Sequence, residues 1–296
     1  MLITKHIGTT DDRLLNGLTP LVQIMSLIEQ DEEESIVLDF SEAQSVSPVF
    51  VLALMVYASQ VENRLSFANI PPALETIGLS SGGMKPDRLR RSEFLAQMEG
   101  FVKKTHIPII NFPALAGNDE KEIISSVVED LMIRQMNIPS NVATGLKYMV
   151  GEILDNITEH SESDRGYVFA QAFPEKGYLD LCVADRGISL LGSYRRLENN
   201  EIESDIEALR AANRGISSKN LPDAENRGYG IYTTKKMLVE GLGGQYLMLS
   251  GNALYMEGAG YDNFYTFPEG IRWNGTIVAL RIPCHGATFN YVNYIE

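Results

Sequence analysis

Cysteine is nearly absent from this 296-residue chain: Cys182 and Cys284 are the only two. Two thiols cannot form a disulfide framework, and their spacing fits no thiolate metal motif. Both fall in predicted strands, where a thiol serves as a small apolar side chain. Histidine is scarce too, with four residues, and His6 and His285 have no companions that would make a ligand set. No long apolar run occurs. The longest, Val49 to Ala58, is about half the ~20 residues of a membrane-spanning helix. The N-terminus lacks a signal-peptide core and meets Asp11 and Asp12 early, so the cytoplasm is the expected location. Basic charge is also in deficit. Lys and Arg total 25 against 39 Asp and Glu, a net charge of −14, and no basic run interrupts that balance. Non-specific nucleic-acid binding, which rests on a basic surface, is excluded. A phosphate would have to be held by backbone amides, a metal ion and one or two basic side chains. A nucleotide fits that description and a long polyanion does not.

The length is comfortable for two domains, and the 44% hydrophobic content is ordinary for a globular chain. No internal repeat or low-complexity tract is present. In the first 80 residues strands and helices alternate. Leu2-Ile3-Thr4 is a short strand, a helix runs from about Leu18 to Glu29, and Asp31 to Glu34 make a solvated turn. Ile36 to Phe40 is an apolar strand, and Ser47-Pro48 opens an apolar helix reaching about Gln60. Arg64 to Ile70 is a further strand, and Pro71-Pro72 begins a short helix that Gly78 ends. This is a small α/β unit. Its run from Ile36-Val37-Leu38-Asp39-Phe40-Ser41 through a loop into an apolar helix resembles the STAS domain of anti-sigma-factor antagonists. In antagonists an Asp-Ser pair with a phosphorylated serine starts that helix. Ser47-Pro48 stands at those positions here, so the resemblance implies a docking surface without that phosphorylation.

Ser80 to Pro86 is the best linker candidate by composition. A charged helix, about Asp87 to Lys104, leads to an edge strand at Ile107 to Phe112, and residues 119–136 form an amphipathic helix. The next helix is the key one. Val142, Leu146, Met149, Val150, Ile153, Leu154 and Ile157 recur at steps of three and four. Asp155 and Glu159 are expected on its solvated side, while Glu152 and Asn156 lie one turn apart at the edge of the apolar stripe. A carboxylate and a carboxamide there are costly to desolvate unless something polar binds. A solvated rim is the plainer alternative.

Two strands follow, Tyr167 to Phe173 and Tyr178 to Ala184. Leu179, Leu181 and Val183 share a face, and Asp185 has the same parity, so its carboxylate points toward the core layer just before Gly187. Such an Asp suits a buried polar ring edge, or it simply closes a turn. Gly228 and Gly230 precede another helix, where backbone amides can approach phosphate oxygens. The polar stretch from Gly215 to Glu225 reads as a loop over a site or as a solvated linker. Gly243 to Gly251 and Trp273 to Pro283 are the last strands, and in the second Thr276 shares a face with Val278, Leu280 and Ile282.

Glu152-x-x-x-Asn156, Asp185-x-Gly187, Gly228-x-Gly230 and Gly275-Thr276 occur in the order and rough spacing of the GHKL ATP-binding domain. That family includes gyrase B, a heat-shock chaperone, histidine kinases, MutL and the anti-sigma-factor serine kinases. The resemblance covers about residues 110–285, and Asp155 to Ser161 is most similar to the histidine-kinase and anti-sigma branches. It implies a two-layer α/β sandwich with a mixed sheet over residues 108–296, following a STAS-like regulatory or docking domain over 1–107. Mg-ATP would lie between helices and sheet. Asn156 would coordinate Mg²⁺, Asp185 would accept the adenine amino group, and Thr276 would support it. Gly187, Gly228 and Gly230 would make room for nucleotide and lid, and Glu152 would orient or deprotonate the attacking nucleophile. Lys219 and Arg227 are candidates to reach the phosphates. Ser189 departs from the pattern, since the family's first glycine box carries a second glycine there.

A sensor histidine kinase is not expected. His106, the one upstream phosphoacceptor candidate, precedes a strand rather than sitting on a dimerising hairpin, and His160 reads as a structural histidine. The leading expectation is an ATPase or ATP-driven switch acting through protein contacts, with a STAS-like or other regulatory protein as partner and a homodimer left open. A serine/threonine kinase of the anti-sigma type, acting on a separate STAS partner, and a non-catalytic ATP-binding scaffold are the alternatives.

Overall fold

Residues 48–57 are apolar without a polar stripe, so a helix built from them has to be covered on every side. The computed structural model, which describes residues 2–8, 14, 17–30, 35–61, 63–114, 118–198, 200–218, 229–268, 270–284 and 289–294, shows how that is achieved. The helix in question, α2 (Pro48–Ala58), has every residue from Pro48 to Tyr57 buried. It belongs to an N-terminal unit of β1 (Leu2–His6), α1 (Thr19–Gln30), β2 (Ser35–Asp39), α2 and β3 (Leu65–Ala68). The three strands form a parallel sheet in the order β1-β2-β3. One side of α2 packs on α1, and it also packs on strands β5 and β6 of a second sheet, introduced next.

After α3 (Pro72–Thr76) and a 3-10 turn at Pro86–Arg88 comes α4 (Arg91–Glu99), shorter than the helix expected over 87–104. Arg90 is extended, and the Glu93 carboxylate accepts its backbone N–H at 3.0 Å, which starts the helix late. The rest of the chain gives β4 (Ile110–Pro113), α5 (Asn118–Met136), α6 (Ser140–His160), β5 (Arg165–Phe173), β6 (Tyr178–Asp185), α7 (Ser189–Tyr194) and α8 (Asp205–Asn213). It continues with α9 (Tyr229–Lys236), prolonged by a π-helical turn at Met237–Gly241, then β7 (Gln245–Gly251), β8 (Ala253–Gly258), β9 (Tyr261–Thr266) and β10 (Trp273–Pro283). The strands form a seven-stranded sheet in the order β4-β5-β6-β10-β7-β8-β9.

Every pairing in this sheet is antiparallel, which corrects the expectation of a mixed sheet. Short turns make neighbours of β5 and β6 and of β7, β8 and β9, and β10 inserts antiparallel to both β6 and β7. Among the described residues, the one parallel contact to this sheet is an isolated bridge from Met84 to Ile110. The chain is thus of mixed α/β class, with a parallel and an antiparallel sheet.

Alternation along β6 separates the two faces of the larger sheet. Val183 and Asp185 line a cavity beneath α6 and α9. Asp180, Cys182 and Ala184 are equally buried on the opposite face, where α2 lies. Arg186 extends that opposite parity, and its Nη1 donates to Ser59 Oγ, just past the end of α2, at 3.3 Å. A buried pair stiffens the same face: Arg281 Nε and Nη2 each donate to Asp180 at 2.8 Å, the bidentate form that a desolvated carboxylate requires. One apolar core runs through both sheets. The segment read as a linker is tied down as well, with Met84 N donating to Ile109 O at 2.7 Å and Asn111 N to Met84 O at 2.8 Å. No helix among the described residues is long and apolar enough to cross a membrane.

Candidate functional site

A cavity of about 280 Å³ lies between α6, α9 and the loop after α8 on one side and strands β6, β10 and β7 on the other. Register fixes its floor. Val183, Val278 and Met248 align across β6, β10 and β7. One two-residue step along, Thr276 aligns with Ser250 and, by continuation of the register, with Asp185. Asp185, Asn156, Glu152, Gly230 and Thr276 all line this one cavity, so five of the residues singled out in the sequence converge.

Asp185 is 3% exposed. Burial pushes its carboxyl up to about 7, against the opposing pull of backbone N–H donors from Gly187 and Thr276. The Gly187 N–H sits 2.7 Å from Asp185 Oδ1. Two glycines make this packing feasible. A Cβ on Gly187 would collide with the Ser161 carbonyl at the end of α6. Gly275 has φ +108, and a Cβ there would collide with both the backbone and the carboxylate of Asp185. Behind Thr276, Ser250 Oγ lies 3.1 Å from Thr276 Oγ1, and it also accepts the Leu190 N–H at 2.9 Å. Ser189, in the position where the resembled family has glycine, keeps a left-handed backbone at φ 63. The turn after Asp185 therefore holds a glycine-like shape without the glycine, at some strain.

On the helical wall Glu152 and Asn156 are half-buried one turn apart on α6. The N-terminal turn of α9 comes so near that a Cβ on Gly230 would strike the Glu152 carboxylate. The Tyr148 hydroxyl, one turn earlier on α6, hydrogen-bonds both Glu152 and Thr233 of α9. Burial, with the Glu152 charge adding to it, raises the Tyr148 phenol to about 12, so this hydroxyl stays a neutral donor to the carboxylate. Asp155 and Glu159 reach the cavity mouth as well and keep the solvent exposure expected of them, Glu159 being exposed and the Asp155 side chain 42% accessible. Asp155 pairs with Lys121 of α5 at 2.5 Å.

Four carboxylates, Glu152, Asp155, Glu159 and Asp185, line the cavity, and among the described residues no Lys, Arg or His does. A bare phosphate would be repelled, whereas a phosphate carrying a divalent cation would not. Lys219, Arg227 and Gly228 lie outside the described residues, as does His285. His106 is removed from this region. Its ring stacks edge-on against Phe101 at 5.8 Å, and burial lowers its basicity.

Sequence reasoning missed Tyr148, Thr233, Thr234 and Ser250, whereas Ser217 and Ser218, which line the cavity, belong to the stretch read as a loop over a site. A signal for Ser250 was present, because it shares the parity of Tyr246 and Met248 within an apolar strand. Thr234 likewise interrupts the stripe of Ile231 and Leu238 at helical spacing. A comparison of the sequence with protein-family models finds no match, and none is found among curated proteins.

Proposed function

We propose that the chain is a Mg-ATP-binding regulatory protein of the GHKL type, an ATPase or ATP-driven conformational switch that acts through protein contacts. The observation that carries this reading is the buried carboxylate of Asp185 at the floor of a cavity whose opposite wall presents Glu152 and Asn156. An acceptor desolvated to this degree is costly unless a donor meets it, and an adenine amino group is such a donor. Thr276, held by Ser250, offers a hydroxyl beside it. Asn156 would hold Mg²⁺ through its carboxamide oxygen, and that ion would supply the positive charge that this acidic wall lacks. Glu152 is the base. Its carboxylate, oriented by the Tyr148 hydroxyl, takes the proton of the attacking nucleophile. The N-terminal unit, with its parallel sheet and with α2 seated behind β5 and β6, supports a STAS-like regulatory role, and the partner is another regulatory protein.

Glu152→Gln separates binding from chemistry. It is expected to bind Mg-ATP within about threefold of wild type and to lose roughly 100-fold or more in hydrolysis, the usual worth of a general base. Unchanged hydrolysis removes Glu152 from the reaction. Absence of Mg-ATP binding by the wild type removes the reading altogether.

A further inference from the structure

Thr234 is 1% exposed and lines the cavity from α9, yet its Oγ1 has no hydrogen-bond partner among the described residues. A buried hydroxyl is ordinarily paired, most simply with a carbonyl of its own helix. Thr234 lies one helical turn beyond Gly230, and the middle of the cavity floor is apolar or nearly so. Met248 and Val278 line the same cavity, and Tyr246, 1% exposed, has its hydroxyl directed at the Met248 sulfur at 3.2 Å. The register puts Tyr246 two steps along the sheet from the Asp185 row, so this end of the cavity lies beyond the carboxylate. Lys235, the neighbouring cation, is engaged elsewhere, 2.9 Å from Glu257.

We propose that Thr234 is a ligand-contacting residue whose hydroxyl completes its hydrogen bond on the neutral, nucleoside part of the bound nucleotide, directly or through one buried water. This rests on the nucleotide reading above. The phosphates are excluded as its partner because Thr234 is fully buried and no Lys, Arg or His among the described residues lines the cavity, so a phosphate drawn in to that hydroxyl would bury its charge without a counterion. Thr234 thus contributes to purine nucleoside recognition from the helical side while Asp185 does so from the sheet.

Thr234→Val keeps shape and removes the hydroxyl, and Thr234→Ser keeps the hydroxyl. The two variants and wild type are titrated with Mg-ATP by calorimetry and with adenosine by competition against it, beside Asp185→Asn as a control. Thr234→Val is expected to weaken both ligands by the same factor, roughly 5- to 10-fold, the worth of one hydrogen bond, and Thr234→Ser is expected to stay within about twofold of wild type. Wild-type affinity in Thr234→Val, or a loss confined to Mg-ATP, overturns this assignment while Asp185→Asn still reports on the nucleotide site. No binding of either ligand by the wild type overturns both. A melting temperature raised in Thr234→Val with affinities unchanged identifies the hydroxyl as a purely structural orphan and also overturns it.

Discussion

At the scale of single residues, desolvation dominates the site. Asp185 accepts two backbone N–H groups, which favour its ionised form, yet burial still lifts its carboxyl to about 7. The ordinary aspartate value in an unfolded chain is 3.8. Between about pH 4 and pH 7 the unfolded chain therefore releases a proton that the folded chain keeps, so stability falls as pH rises through that window. The full effect amounts to as much as about 4 kcal/mol at 1.36 kcal/mol per unit. Asp185→Asn removes this dependence. Urea unfolding at pH 5 and pH 7.5 is expected to show a drop for wild type that is smaller by a few kcal/mol in the variant, and equal drops would mean that Asp185 ionises normally. Thr234 tells a parallel story in uncharged form, since a hydroxyl buried without a partner costs roughly 1–3 kcal/mol until something accepts its proton. Both residues carry a stability cost that a ligand can offset.

At the scale of elements, the site depends on how closely backbone can approach side chain. The α6 and α9 helices run past one another with Glu152 beside Gly230 and Tyr148 beside Thr233, and β10 meets β6 with Gly275 against Asp185. Gly275→Ala combines a left-handed backbone with a collision against Asp185. It is expected to destabilise the fold by about 2–3 kcal/mol in chemical denaturation; a loss below about 0.5 kcal/mol would show that the turn relaxes freely. The α6 helix was readable from its 3.6-residue apolar period, and Asp185 from strict alternation along β6, because each pattern has one buried face. Strands β8 and β9 were not read from the sequence. In β8 nearly every residue is buried on both faces, while β9 is an edge strand of Tyr, Asp and Asn that stays largely open to water, so neither alternates. The shortness of α7, six residues, hid it in the same way. Asp155 and Glu159 fall on the solvated side as the period dictates, but periodicity did not tell that the cavity mouth extends around the helix to reach them.

At the scale of the whole molecule, the seven-stranded sheet is covered on both faces at β5 and β6. The helices α6 and α9 enclose the cavity, and α2 of the N-terminal unit fills the back of β5 and β6. All-round apolarity announced that α2 would be buried, but the surface that buries it comes from strands more than a hundred residues away, which no local pattern reveals. The guanidinium of Arg186, between Asp185 and Gly187, reaches the end of α2 at Ser59, so the turn that shapes the Asp185 pocket also touches the N-terminal unit. That contact is where a partner on the N-terminal unit would be felt by the cavity. The claim on which all of this turns is that Asp185 receives the base of a Mg-bound adenine nucleotide. Calorimetric titration of Mg-ATP into wild type and Asp185→Asn tests it most directly. Saturable binding by wild type with a loss of 100-fold or more in the variant, about 2.7 kcal/mol, is the predicted result; no binding by wild type, or equal affinity in the two proteins, would contradict it.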